Sequence, residues 1–439
     1  MITQANKALN FMEQMQTLSQ IGSATAQPDW FSELKKSGIT HFTQLGIPTV
    51  KNEEWKYTNI APLLDRQYTL AATDQLKEQD SLKPYIDPNE ITVVFVNGIF
   101  SKDLSSLKLL PKGLTIATIQ HLLKTNAKKL SEWLTRSILD AETTFMALNK
   151  ALLQDGIFVE MADSTIVERS IHLIHVTSNL TENSIVSPRT ILVLGTSSQA
   201  TLLQSHLSFQ QELEYCSNTL TDIFLKDNAI LKYTQAQSES LNSFSIHNTR
   251  VWQGRDTSFD GFSFVTGGDI TRNNLDVVVS GEGASSILNG LYCINGKQLA
   301  DNHTLVEHRV PHCTSNQLYK GILNGAAHAV FNGKILVRPE AQQTNSYQLN
   351  KNLILGKDCR VNTKPQLEIF ADDVKCTHGA TIGQLNEDEI FYLLTRCIPR
   401  QEAIRMLARG FVNEIVNRIA APEIRQKIHL LLEPTFAAL

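Results

Sequence analysis

The sequence predicts a mainly β protein with helical ends. Three observations carry that reading. Short β-prone runs recur from about residue 156 to 385 with no helical periodicity between them. Turn residues (Gly267-Gly268-Asp269, Gly281-Glu282-Gly283, Asn289-Gly290, Asn295-Gly296, Asn332-Gly333) punctuate those runs. On both sides of this span apolar residues return to helical spacing.

The first region, 1–155, reads as mainly helical. Short amphipathic helices are expected over Lys7–Leu18 and Trp30–Lys36, and longer ones over Leu122–Leu139 and Ala141–Leu153. A Lys/Asp/Pro-rich stretch at 75–92 separates the pairs. One short strand, Thr92–Val96, ends at the turn dipeptide Asn97-Gly98.

The second region, 156–385, holds strands such as Ile191–Leu194, Val277–Val279, Ala329–Phe331 and Lys334–Val337. Many short strands imply a sandwich, a barrel or a solenoid. Polar residues alternate with single aliphatics, as in Thr234-Gln235-Ala236-Gln237. That grain suits a β-helix with coils of roughly 20 residues, and paired sandwiches are the rival.

The third region, 386–439, is helical. Glu387–Arg396 forms one helix, and Pro399 sits in the first turn of the next, where its missing N–H costs nothing. Ile404, Leu407, Phe411 and Ile415 make an apolar stripe on that helix, widened by Val412, Val416 and Ile419. Pro422 opens a third helix. So short a bundle cannot bury both stripes by itself; one face is expected on the β region, and another is either internal packing or a partner's docking surface.

Composition bounds the function. The chain has 439 residues, 42% hydrophobic and 19% charged, with a net charge of −4 of mixed sign. Nothing in this balance suggests nucleic acid or an anionic membrane as partner. Without a signal peptide pattern or a membrane-length apolar run, a cytoplasmic protein is expected. The six cysteines form no C-x-x-C pair, and most read as small buried residues.

Catalytic motifs fail on inspection. Gly290 to Gln298 resembles a P-loop but has five residues between its glycines, not four, and ends in Gln where Ser or Thr must bind magnesium. No nucleotide should bind this chain. No G-x-S-x-G or H-E-x-x-H occurs. His303, His308 and His312 are spaced five and four apart, which reads as hydrogen-bonded turns more readily than as a metal site. The acidic residues are too scattered to point to the carboxylate pair of a carbohydrate-active β-helix enzyme.

The sharpest feature is Asp372-Asp373-Val374-Lys375-Cys376-Thr377-His378-Gly379. In a strand, Cys376 and His378 share one face, together with Val374, Ala380 and Ile382. Two readings fit: a buried Cys beside a satisfied core His, or a half-site covered by another chain that supplies the remaining metal ligands.

Three stretches then carry a resemblance along essentially the whole chain: Lys51-Asn-Glu-Glu-Trp-Lys-Tyr-Thr58, Phe331-Asn-Gly-Lys-Ile-Leu-Val337, and Lys364 through Thr381. They resemble the SufB/SufD family of iron–sulfur cluster assembly proteins, on its SufD side. The resemblance implies a right-handed parallel β-helix core between helical N- and C-terminal domains. It implies a non-catalytic scaffold in a SufB–SufC–SufD complex that forms clusters de novo and takes part in iron acquisition. SufB would pair through the β-helix, with self-pairing in its absence. The SufC ATPase would dock on the C-terminal helices, at Ile404, Leu407, Phe411 and Ile415. A transient iron–sulfur cluster would be shared with SufB, with His378 matching the family's histidine and Cys376 a neighbouring cysteine. A flavin in the complex is compatible with the resemblance, but no motif of this chain carries one. Leu349 and Gly379 stand where SufB-type chains carry a cysteine and a glutamate, so this chain looks like the partner half.

Overall fold

The computed structural model describes residues 4–21, 27–71, 76, 79–107, 110–136, 142–180 and 183–438. Residues 137–141, where two expected helices meet, lie outside them. The strands form a β-solenoid of about 8 turns rather than paired sandwiches. From Arg189–Leu194 onward successive strands alternate between two sheets, and their pairings within each sheet are parallel. Each coil is therefore two strands and two turns, flattened like a sandwich but wound as a helix.

The coils are longer than the 20 residues expected. Register partners lie from 26 positions apart (Phe244↔Ile270) to 33 (Gly156↔Arg189). The extra length goes into strands of about ten residues, such as Ile270–Val279 and Leu299–His308. Because the spacing varies, no fixed repeat shows in the sequence.

The strand at Ile91–Val96 turns back through Asn97 and Gly98, both at positive φ, into Ile99–Ser106. A two-residue loop with both φ positive matches the twist of its flanking strands. Ile91–Val96 pairs parallel with Ile171–Val176, and its hairpin partner Ile99–Ser106 forms the starting edge of the second sheet.

The ends pack on opposite sides. N-terminal helices lie over the first sheet, where Trp133 and Phe31 meet Phe224, Ile191 and Val193. Helices Arg400–Val416 and Pro422–Ala437 lie over the second sheet, where Val412, Ile415, Val416 and Ile428 bury against Phe262, Leu291 and Ile322. Helix Glu387–Leu394 starts at Asn386, whose side chain accepts a hydrogen bond from Asp388 N–H.

Candidate functional site

The C-terminal end of the solenoid is open. Arg360–Ile369 closes the first sheet and Val374–Gly383 the second, each paired along one edge only. Such edges present unpaired N–H and C=O groups, and proteins ordinarily blunt or cover them. Pro365 sits in the first of these strands, a place open to proline because an edge strand need not donate on both sides.

Cys376 and His378 are both in the second edge strand. Their face carries Val374, Cys376, His378, Ala380 and Ile382, which lie in register over Thr344, Ser346, Gln348, Asn350 and Asn352. That underlying row is polar and fully buried. The terminal coil thus sets a soft thiol and an imidazole on a polar floor, at the mouth of the solenoid.

The two candidates differ in environment. Cys376 is half-buried against a small apolar cluster of Ile335, Val337, Ala341 and Ala371, and burial pushes its thiol pKa up. A thiol so placed stays protonated until something cationic meets it. His378 is exposed and makes no hydrogen bond or ion pair among the described residues. It is not a satisfied core histidine.

Most of the polar floor is internally bonded. Ser346 and Ser315 hydroxyls lie 2.6 Å apart, Asn350 Nδ2 donates to Tyr292 Oη at 3.0 Å, and Asn352 Nδ2 donates to Asn350 Oδ1 at 2.7 Å. Gln348, the residue beneath His378, is the exception: its amide nitrogen and oxygen are both buried without a partner among the described residues. Sequence reasoning missed it: Gln348 lies in register with Gln317 one coil below, a relation that no fixed repeat in the sequence marks.

Leu349 and Gly379 are register partners, brought together from 30 positions apart on the outer face of the second sheet. A Cβ at Gly379 would sit 3.2 Å from Leu349 Cδ1. Neither can ligate a metal, and no group of three or more His, Cys, Asp or Glu able to hold one occurs among the described residues. Cys376 and His378 present one thiol and one imidazole, fewer groups than a closed metal site needs.

The other histidines disperse. His303 faces outward, with Nδ1 3.1 Å from Glu54 Oε2 and Nε2 2.9 Å from Asp301 Oδ1, and these carboxylates raise its pKa against the opposing effect of burial. His308 points into the solenoid, where its Nε2 lies 3.0 Å from Ser315 Oγ and burial lowers its pKa to about 4. His312 is in a turn near Glu282.

The segment Lys51–Thr58 clips the outer face of the first sheet across successive coils. Arg272 Nη1 donates to Glu54 O (2.6 Å) and Asp301 Oδ2 (2.8 Å), Thr58 Oγ1 donates to Asp301 Oδ2, and Asn332 Nδ2 donates to Glu54 Oε2. Lys364 Nζ reaches Glu53 from the edge strand. Trp55 stacks beneath the Arg272 guanidinium at 4.1 Å.

On the C-terminal helix the four docking candidates separate. Ile404 and Leu407 are half-buried. Phe411 is half-buried under Lys320, whose ammonium lies 4.0 Å from its ring and donates to its carbonyl at 2.7 Å. Ile415 is wholly buried against the second sheet, which corrects its assignment to a partner surface: the buried stripe is Ala403, Ala408, Val412, Ile415 and Val416. Larger exposed apolar groups sit on the helix before it, Phe391 at 67% and Tyr392 at 58%, and Met406, on the same helix as Ile415, is 45% exposed.

Comparison with known proteins agrees along the whole length. Residues 9–173 match the family model of the SufBD protein N-terminal region, and residues 175–411 that of the SUF system FeS cluster assembly SufBD core domain. An iron–sulfur cluster assembly SufBD family protein of Synechocystis sp. is 30% identical over 97% of this chain and 96% of its own length. The iron–sulfur cluster assembly protein SufD of Escherichia coli is 29% identical, covering 88% of this chain and 90% of its own. A chloroplastic protein of Arabidopsis thaliana, ABCI7, is 27% identical over 87% and 81%. Among the described residues no helix is long and apolar enough to cross a membrane. The chain belongs to the SufB/SufD family of iron–sulfur cluster assembly proteins.

Proposed function

We propose that this chain is the SufD-type scaffold of a SufB–SufC–SufD complex, and that it contributes His378 to a nascent cluster formed where the open end of its solenoid meets SufB. The observation that carries the reading is the exposed, unpartnered imidazole of His378 on an edge strand. A strand edge is built to be covered, and a partner adding strands there would bring its own ligands to the same mouth. Cluster iron and sulfide are cargo here, not resident cofactors. A mixed ligand set of imidazole and thiolates from two chains holds a cluster loosely enough for transfer.

In this reading the chain is non-catalytic, and iron enters at the shared mouth. ATP chemistry belongs to SufC, docked on the apolar surface of Phe391, Tyr392, Leu407 and Ile404. SufC dimerisation on ATP strains the pair and exposes the site.

The test is His378→Ala in the reconstituted complex. The expected result is unchanged stoichiometry with loss of the cluster's visible absorption. Normal cluster yield would reduce this chain to a structural support.

A further inference from the structure

The N-terminal helices Gln4–Ile21 and Asp29–Leu45 run side by side, joined by Phe11 on Phe42 and by Gln16 Nε2 donating to Thr43 Oγ1 at 3.2 Å. Between their remaining facing sides is a cavity of about 720 Å³. Its walls include Gln16, Ser19 and Gln20 on one helix and Ser32, Lys35 and Lys36 on the other, and no carboxylate lines it.

Lys35 makes this cavity unusual. It falls on the buried stripe of its helix, with Phe31, Gly38 and Phe42, where an apolar residue would serve the packing. It is only 4% exposed, yet it makes no hydrogen bond or ion pair among the described residues. Burial with no compensating charge lowers its pKa. Its ammonium has no counter-ion among the described residues, and an anion in the cavity would supply one. Hydroxyls and amides around it add donors, and Lys36 adds a second positive charge.

We infer that this interhelical cavity is a binding site for a small oxyanion-bearing molecule, a phosphate ester or a carboxylate, with buried Lys35 as its charged anchor. The volume falls within the range of small-molecule sites, about 300–1,000 Å³. The site is independent of the cluster reading and uses none of its residues.

Calorimetric titration of the full chain with pyrophosphate and, separately, with citrate tests the inference and separates the two anion classes. Saturable binding of at least one probe is expected, weakened at least tenfold in Lys35→Gln and by a smaller factor in Lys36→Gln. Should Lys35→Gln fail to fold, the wild-type chain still decides. Brief acetylation at neutral pH, read by mass spectrometry, should show Lys35 protected at least threefold by the bound probe, with exposed Lys124 unchanged. No saturable binding of either probe, equal binding by Lys35→Gln, or Lys35 acetylation indifferent to probe would each overturn the inference.

Discussion

Gln348 lies across the interior of the solenoid against Gly333 on the opposite sheet: a Cβ built on Gly333 would overlap the Gln348 side-chain amide. One coil earlier the matching pair is Gln317 and Thr304, and there the threonine hydroxyl donates to the glutamine oxygen at 2.8 Å. At Gly333 the hydroxyl is gone and the amide takes its space.

Gly333→Ala should therefore destabilise the chain by about 1–3 kcal/mol, the usual cost of overpacking. Gln348→Ser should recover most of that loss in the double variant, because the two residues compete for one volume. Urea denaturation of the two single variants and the double variant measures the coupling; additive losses would show that the contact carries no energy.

The pH dependence of stability follows from imidazoles sealed in the fold. Burial lowers the pKa of His175 to about 3 and those of His172 and His308 to about 4, from an ordinary 6.5. Below pH 6.5 the unfolded chain binds protons that the fold refuses. Stability is thus whole above pH 6.5 and falls as pH drops toward 4, by up to about 1.4 kcal/mol per pH unit for each such histidine. Both ring nitrogens of His175 lack partners among the described residues, and its ring stacks on Phe95 at 5.0 Å and on His206 at 4.8 Å. His175→Phe should keep the stacking, flatten the acid slope and raise the urea midpoint at pH 5 above that of the unaltered chain. A midpoint level from pH 7 to 5 in the unaltered chain would refute the account.

Legibility in the sequence tracked how local the signal was. Alternation over Val374 to Ile382 put Cys376 and His378 on one shared face, and they do share one in the strand, because parity depends only on neighbours. What lay under that face was not readable: the polar row Thr344 to Asn352 is 30 residues away, and coil spacing varies, so register could not be counted from a fixed period. The helical stripe at Leu407 to Ile415 was visible, but the flank that packs with the sheet is Ala408, Val412, Ile415 and Val416, which helical spacing alone did not single out. The Lys51–Thr58 clip pairs residues up to 311 positions apart, beyond any local pattern.

The helix correction separates stability from partner binding. Ile415→Ala empties a wholly buried site and should cost about 2–5 kcal/mol, lowering the melting temperature of the isolated chain. Tyr392→Asp and Phe391→Asp lie on exposed surface and should leave melting nearly unchanged while weakening co-purification of the proposed ATPase partner. If Phe391→Asp retains the partner at full stoichiometry, the docking surface is elsewhere.

The same logic locates the partner at the solenoid mouth. Phe370 (61% exposed), just after the first edge strand, and Ile382 (49% exposed), within the second, stand at the open coil, with Ile369 at 37%. Exposed apolar groups next to unpaired strand edges would invite indiscriminate strand addition unless a specific chain covers them. Replacing both with aspartate removes apolar area the partner would bury and sets two negative charges against its backbone carbonyls, while the interior coils keep every contact. The Phe370→Asp/Ile382→Asp chain should fold with unchanged far-ultraviolet circular dichroism and lose pairing with a SufB-type partner by at least a hundredfold in Kd, and self-association should fall with it. His378→Ala, by contrast, should pair normally and fail only at cluster formation. If the aspartate variant pairs normally, the open coil is not the interface, and the exposure of His378 would need another reason.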